Sequence, residues 1–184
     1  NNRIYTAGQK EKDELMSLAK LIRKSLDISR DTFITLNEEL DFVKNYIEVQ
    51  SYILRPDFKF TLNIQPGIGN ILIPSMSIQI LAENAIKHGL KGLERQQNLT
   101  ITVIKENDIT TITVEDNGRG FDSTKGSGNG LGMNIIRQTI AAVNKRSKKA
   151  KMDMDVHNIK DNEGNVSGCR IAITIKGKIN PHRF

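Results

Sequence analysis

The feature that most constrains this chain is a long glycine-rich segment between a strand pattern and a helix pattern. Residues 109–115 are rich in Thr, Ile and Val, residues 116–120 then read Asp-Asn-Gly-Arg-Gly, and residues 128–132 read Gly-Asn-Gly-Leu-Gly. Loops of this length in compact domains are usually functional. A carboxylate suits the amino edge of a purine, and glycines let backbone N–H groups approach phosphates at a helix N-terminus. The segment therefore predicts a nucleotide site.

Two ordinary explanations of this segment stay open at the level of residues alone. Asp-Asn-Gly after a strand is a common turn signal, and the second glycine cluster fits a flexible linker without a ligand. The glycine spacing matches neither the dinucleotide-binding fingerprint nor the P-loop, because no Gly-Lys-Ser/Thr comes after it. If the segment binds a nucleotide, it does so in another way.

A second polar cluster lies upstream on an apolar helix. Pro74-Ser75 predicts a helix start, and the helix is expected to run to His88 and to stop at Gly89. Asn84 and His88 are four residues apart and so share a face, as do the flanking Glu and Lys.

This cluster has the chemistry of a phosphate and cation site. The Asn84 oxygen suits a hard cation such as Mg²⁺, and Lys87 or His88 can meet phosphate charge. The alternative is an ordinary helix C-terminus with Lys and His near the negative end of the dipole. His88 is not expected to bind metal, because His157 and His182 have no ligand spacing with it.

The remaining periodicities predict an α+β fold, a two-layer α/β sandwich. We expect a helix over 8–29, a helix opened by a capping box at 35–38 and closed by Pro56, strands at 58–64, 99–105, 109–115, 151–159 and 168–176, and a helix from Leu131 that fades in the basic run 145–149. The first two helices have no matching strands, which predicts a helical region over 1–56 and a second domain over 57–184.

Composition narrows the class of protein further. A chain of 184 residues makes one ordinary domain, with or without an appendage, and its only cysteine, Cys169, excludes an internal disulfide. No run is long and apolar enough to span a bilayer. The formal charge of +6 would suit a nucleic acid, an anionic membrane or a nucleotide, but the lysines are scattered and no nucleic-acid-reading motif is present.

The order and spacing of the three polar segments resemble the catalytic ATPase domain of sensor histidine kinases, in the superfamily that also holds gyrase, Hsp90 and MutL. Residues 83–89, Glu-Asn-Ala-Ile-Lys-His-Gly, look like the N box, and the segments 116–120 and 128–132 look like the two glycine boxes. The LytS/YehU-like branch is the most similar, and it shares the Glu-Glu-Leu helix start at 38–40. The resemblance implies a Bergerat-type fold, a mixed five-stranded sheet with helices on one face, preceded by helices of a dimerisation element.

The resemblance also implies a role for each matched residue. Asn84 would hold Mg²⁺, and Asp116 would accept a hydrogen bond from the adenine amino group of ATP. Gly118 and Gly120 would let the backbone lie against the adenine ring.

The other matched residues would act on the phosphates or on the acceptor. Lys87 and His88 would lie near the phosphates, and Glu83 would polarise the acceptor. The second glycine box would form a lid over the phosphates, with Gly128, Gly130, Leu131 and Gly132.

The chain departs from the pattern of this branch in two places. The phosphoacceptor histidine of the branch lies in an Asn-Pro-His-Phe motif before the first helix, and residues 1–5 resemble the stretch directly after that motif. We therefore expect a fragment that begins just after its phosphorylation site, and we interpret residues 180–184 as a chance imitation. Ile135 and Thr139 stand where many relatives carry Asn and Arg, which leaves Arg137 as a phosphate-binding candidate.

The resemblance implies an enzyme, a protein-histidine kinase that transfers the γ-phosphoryl of Mg-ATP to a histidine upstream of this fragment. The implied partners are ATP, a response regulator and a second copy of the full-length protein, and no nucleic acid is expected. The implied location is the cytoplasmic side of a protein anchored in the inner membrane by segments missing here. An ATP hydrolase of the gyrase/MutL kind is a weaker alternative, because Ile80 stands where those enzymes place a water-activating Glu. A non-enzymatic signalling partner with the same fold is the other alternative.

Overall fold

The structure is a computed structural model that describes residues 31–51, 54, 56–121 and 131–180. Its strands are β1 (Phe33–Thr35), β2 (Lys59–Ile64), β3 (Leu72–Pro74), β4 (Asn98–Glu106), β5 (Ile109–Asp116), β6 (Lys151–Lys160) and β7 (Val166–Lys176). Its helices are α1 (Leu36–Ser51), α2 (Ser77–Asn84), which continues as a π-helical segment (Ala85–Leu90), and α3 (Leu131–Arg146). The helix expected over 8–29, the residues Gly128 and Gly130, and His182 lie outside the described residues.

The predicted five-stranded sheet is confirmed, with strand order β2-β4-β5-β7-β6. Only the β2–β4 pair is parallel, so the sheet is mixed. Every second residue of the central strands is buried, among them Leu99, Ile101, Val103, Ile112, Val114, Ile171 and Ile173. The helices pack on one face of the sheet, and the other face is rich in half-exposed threonines, as expected of an antiparallel sheet with one solvated face.

Helix α1 begins with the predicted capping box. The backbone N–H of Thr35 donates to the Glu38 carboxylate at 2.8 Å, and the N–H of Glu38 donates to Thr35 Oγ1 at 3.3 Å. The buried face of α1 includes Leu40, Val43 and Ile47, which join the same apolar cluster as the sheet. The helix thus packs against the ATPase-like part of the chain, and the domain boundary at residue 56 stays a prediction.

The predicted start of the next helix is wrong by a few residues. Pro74 ends strand β3, which pairs with β1 in a separate two-stranded sheet, and α2 begins only at Ser77. The residue before a proline is biased towards extended backbone, which favours a strand ending at Pro74 over a helix starting there. The helix also continues past the expected stop at Gly89, because its last turn widens into the π-helical segment.

Candidate nucleotide-binding site

An open cleft of about 500 Å³ lies between the end of α2, the start of α3 and the ends of β5 and β7. Its apolar walls include Leu81, Val114, Met133 and Ile171. The polar side chains that line it are Asn84, His88, Asp116 and the thiol of Cys169. An apolar pocket with a few convergent polar groups is the usual form of a small-molecule site.

Asp116 is the last residue of β5, and its side chain is buried at the cleft. Its Oδ1 accepts a hydrogen bond of 2.8 Å from the backbone N–H of Gly118, and the backbone N–H of Cys169 also donates to its carboxylate. Burial nevertheless raises the pKa of Asp116 to about 6, because the charged form loses its hydration. A carboxylate held in this way is a hydrogen-bond acceptor for a ligand above that pH.

The backbone comes very close to itself beside Asp116, and this requires two glycines. A Cβ atom at Gly89 would lie 2.5 Å from Asp116 Oδ1, and one at Gly118 would lie 2.3 Å from the backbone carbonyl of Gly89. The backbone N–H of Arg119 donates to the same Gly89 carbonyl at 3.3 Å. Gly89 therefore does more than end a helix: it lets the π-helical segment lie directly on the loop after β5.

Gly120 lines the cleft, whereas Gly118 packs against Gly89. Gly120 has φ +77°, and a Cβ there would lie 2.2 Å from the Val166 side chain. Gly132, in the first turn of α3, would place a Cβ 2.8 Å from Cγ2 of Ile80. The described glycines of the two boxes thus allow close packing of the elements that surround the cleft.

Asn84 is the last residue of α2 and lines the cleft. Its Nδ2 is buried and has no hydrogen-bond partner among the described residues. The described residues contain no group of three or more His, Cys, Asp or Glu side chains that could hold a metal ion. One neutral amide fits Mg²⁺, which usually keeps several waters and takes phosphate oxygens of its substrate as ligands.

Glu83 and Lys87 do not line the cleft. They form an ion pair one helical turn apart, and Lys87 borders a neighbouring depression with Gln50 and Leu54. The structure thus brings together Asn84, His88, Asp116 and Gly120, whereas Glu83 and Lys87 lie on an adjacent face. Leu131 begins helix α3, as expected.

Several residues that shape the site carried no signal in the sequence. Arg95 donates to the backbone carbonyls of Asn117 (2.7 Å) and Ser167 (2.9 Å), and Asn158 exchanges two hydrogen bonds with the backbone of Phe121. Cys169 lies directly opposite Asp116 in the β5–β7 register, and burial together with the Asp116 charge raises the pKa of its thiol to about 12. These contacts depend on strand pairing between distant residues.

Comparison with known proteins identifies the family. The family model described as "Histidine kinase-, DNA gyrase B-, and HSP90-like ATPase" matches residues 74–178, and a model described as "Histidine kinase" matches residues 2–58. The chain belongs to the histidine kinase-, DNA gyrase B- and HSP90-like ATPases. Within that family, it carries the catalytic ATPase domain of a two-component sensor histidine kinase, so the resemblance inferred from the three polar segments is confirmed.

Curated relatives and solved structures agree with this assignment. The chain is 35% identical over 145 residues to the sensor histidine kinase YesM of Bacillus subtilis, covering 76% of this chain and 25% of that protein. It is 33% identical over 119 residues to the sensor histidine kinase/phosphatase LytS of Staphylococcus aureus, covering 64% and 20%. The chain therefore spans about a quarter or less of the length of these relatives.

The solved structures support the fold alone. The catalytic domain of histidine kinase ThkA matches with a TM-score of 0.57 at 14% identity, covering 81% of this chain and 98% of that one. Full-length ShkA in complex with AMPPNP matches with a TM-score of 0.54 at 15% identity, covering 97% and 40%. Among the described residues, no helix has both the length and the apolar character needed to cross a membrane.

Proposed function

We propose that this domain binds Mg-ATP in the cleft and supplies its γ-phosphoryl group to a histidine upstream of this sequence, within a longer sensor kinase. The observation that carries the proposal is the buried Asp116 carboxylate, which faces the same cleft as Asn84. The adenine amino group would donate to Asp116, and Leu81, Val114 and Met133 would cover the ring and exclude water.

Asn84 would be the protein ligand of Mg²⁺, which when bound neutralises charge on the ATP phosphates. The unpartnered amide of Asn84 and its place at the cleft support this role. His88 lines the same cleft four residues further on and would lie near the phosphates. The described part of the second glycine box, Leu131 and Gly132, would present the N-terminus of α3 to the anion.

Glu83 and Lys87 are proposed to act as a pair. Their ion pair joins side chains that keep 33% and 58% of their exposure, so it is a weak surface interaction that can open. Lys87 would then be free to meet phosphate, and Glu83 to polarise an acceptor. Phosphoryl transfer depends mostly on positioning and charge neutralisation, so no nucleophile–base pair is needed in this domain.

The remaining proposals concern the longer protein. The partners implied by a two-component system are a response regulator that receives the phosphoryl group and a second kinase copy that forms the dimer. The domain would lie on the cytoplasmic side of a membrane-anchored protein. An ATP hydrolase of the gyrase/MutL kind is disfavoured, because Ile80 is buried against the start of α3 and cannot act as a base.

Calorimetry with Mg²⁺ and the non-hydrolysable analogue AMPPNP tests the proposal. We expect the wild-type chain to bind and Asp116→Asn to bind about tenfold more weakly or worse, because an amide N–H₂ faces the adenine donor and a charge-assisted hydrogen bond is lost. Asp108→Asn, the same change at an exposed turn, is the control and should bind as the wild type does.

Two results would contradict the proposal. Equal affinity of Asp116→Asn and wild type would remove Asp116 from the adenine site. No binding by a folded wild-type chain would favour a signalling partner that keeps the fold without the nucleotide.

A further inference from the structure

Helix α2 begins without a capping side chain of its own. Its N-cap residue, Met76, is in the left-handed region at φ 61° and makes no side-chain cap hydrogen bond. The first backbone N–H groups of any α-helix lack partners within the helix. Here a residue of another helix, Glu39 of α1, supplies the acceptors.

The Glu39 carboxylate accepts three backbone hydrogen bonds at the start of α2. Its Oε2 accepts from Met76 at 2.8 Å, and its Oε1 accepts from Ile78 at 3.0 Å and from Gln79 at 3.1 Å. The side chain is fully buried, although charged residues are seldom buried. The charge-assisted bonds and the positive end of the helix dipole both favour a carboxylate in this place.

A second contact joins the same two helices near the cleft. Tyr46 lies two turns after Glu39 on α1, and its hydroxyl is buried with no hydrogen-bond partner among the described residues. Burial raises the pKa of Tyr46, and the charge of the nearby Glu83 raises it further. Because Glu39 contacts the start of α2 and Tyr46 lies near its end, the helices run side by side in the same direction.

These contacts bridge the two regions recognised in the comparisons. Glu39 and Tyr46 belong to the part matched as histidine kinase, and α2 belongs to the part matched as ATPase. Apolar surfaces alone can slide past one another, whereas three hydrogen bonds to one carboxylate have defined directions and lengths. They therefore specify where α2 lies along α1.

We propose that Glu39 is a positioning residue for the ATP site: it transmits the position of α1 through α2 to Asn84 and the wall of the cleft. This rests on the proposed function of the cleft. Asn84 is the last residue of the same eight-residue helix, so it lies about 12 Å from the hydrogen-bonded end. Such a short helix moves as a rigid body, and a displacement of α1 along its axis reaches Asn84.

The test compares the same substitution at two adjacent residues. Glu39→Gln replaces one carboxylate oxygen with an N–H₂ group that cannot accept from α2. Glu38→Gln is the matched control, because Glu38 is an exposed neighbour on α1 whose carboxylate serves Thr35 of its own capping box. Glu39→Asp keeps the charge and shortens the reach by one methylene.

Two quantities are measured at a temperature at which circular dichroism finds each variant fully folded. The first is the Kd of Mg-AMPPNP, and the second is amide exchange over residues 84–90 without nucleotide. We expect Glu39→Gln to raise the Kd by about five- to fiftyfold, the usual range of coupling between sites, and to speed exchange at residues 84–90. Glu38→Gln should match the wild type in both, and Glu39→Asp should be intermediate.

Equal Kd values for folded Glu39→Gln and Glu38→Gln would overturn the proposal and leave Glu39 a purely stabilising residue. If Glu39→Gln does not fold, Glu39→Asp takes its place, and a Kd equal to that of Glu38→Gln overturns the proposal. If the wild type does not bind AMPPNP, the proposed function fails. Amide exchange then decides the positioning role by itself, and equal exchange at residues 84–90 in the two variants refutes it.

Discussion

Asp116 combines two opposing influences on a carboxyl group. Removal from water favours its neutral form, while the backbone N–H groups of Gly118 and Cys169 favour the anion. The result is a pKa of about 6, so the residue is ionised at neutral pH and becomes protonated in mildly acidic solution. A protonated carboxyl offers the adenine amino group one acceptor fewer.

ATP affinity is therefore expected to depend on pH. Binding needs the ionised Asp116, so affinity is retained above the pKa and is lost as pH falls through about 6. Between pH 7.5 and 5 the Kd of Mg-AMPPNP should rise about tenfold, in line with one tenfold change per pH unit below the pKa. Calorimetry across this range on wild type and on Asp116→Asn separates titration of the site from that of the ligand. Parallel profiles for the two proteins would contradict the assignment.

Gly118 owes its identity to a close backbone contact. Gly118→Ala puts a methyl group 2.3 Å from the Gly89 carbonyl carbon, and backbone atoms cannot rotate away. We expect the free energy of unfolding to fall by about 1–3 kcal/mol, as for other overpacked sites, and nucleotide binding to weaken.

Gly164→Ala is the comparison for this prediction, because Gly164 has φ +83° and open space around it. It reports backbone strain without a clash and should cost about 1 kcal/mol with unchanged nucleotide affinity. Denaturant unfolding of both variants gives the two values. An equal or smaller loss at Gly118 would mean that the loop relaxes and that the contact is unimportant.

At the scale of elements, α1 and α2 begin in different ways. Helix α1 carries its own capping box, whereas α2 depends on a carboxylate that arrives from α1. The last turn of α2 then widens into a π-helical segment, which is often found at functional sites. Here the wide turn comes after Asn84 and carries His88 to the cleft and Gly89 to Asp116.

Removal of the α1 cap should be a modest and local change. Thr35→Ala removes the hydroxyl that donates to the Glu38 carboxylate at 2.7 Å and accepts from the Glu38 N–H, at a cost of about 1 kcal/mol. Thr139→Ala in α3 is the control, because its hydroxyl bonds only to the Ile135 carbonyl one turn earlier and alanine favours helix. Thermal unfolding should therefore rank Thr35→Ala below Thr139→Ala. The reverse order would mean that the capping box adds no stability.

At the scale of the whole molecule, two buried acids lie in one connected core. Glu39 and Asp116 both have pKa values raised by burial, to about 7 and about 6. Each group binds its proton more tightly in the folded state than in the unfolded chain. The unfolding free energy contributed by these groups is therefore largest below their ordinary pKa values and is lost as pH rises through the folded values.

The chain should thus become less stable between about pH 5 and pH 7.5, by roughly 1–3 kcal/mol for each group. Denaturant unfolding at several pH values measures this slope. The slope should be shallower in Glu39→Gln and in Asp116→Asn, since each variant removes one of the two titrating groups. Stability that rises with pH over this interval would show that neither acid has a raised pKa.

Local chemistry in the sequence determined most of the elements and the composition of the site. The alternating Thr and Ile/Val residues predicted β4 and β5, the capping box at 35–38 predicted the start of α1, and the order of the three polar segments predicted the family. These signals lie within short windows, where propensity and capping act directly. Asn84, His88 and Asp116 were found in this way, and the fold brings them to one cleft.

Only the tertiary structure decided which distant residues meet. The pairing of β1 with β3 involves strands of three residues, too short for an alternating pattern, and it turned an expected helix start at Pro74 into a strand end. Cys169 reaches Asp116 by strand register, Glu39 reaches α2 from 37 to 40 residues away, and Lys87 turns from the cleft to pair with Glu83. The physical reason is that packing and hydrogen bonding between elements depend on their relative positions, which no local sequence window contains.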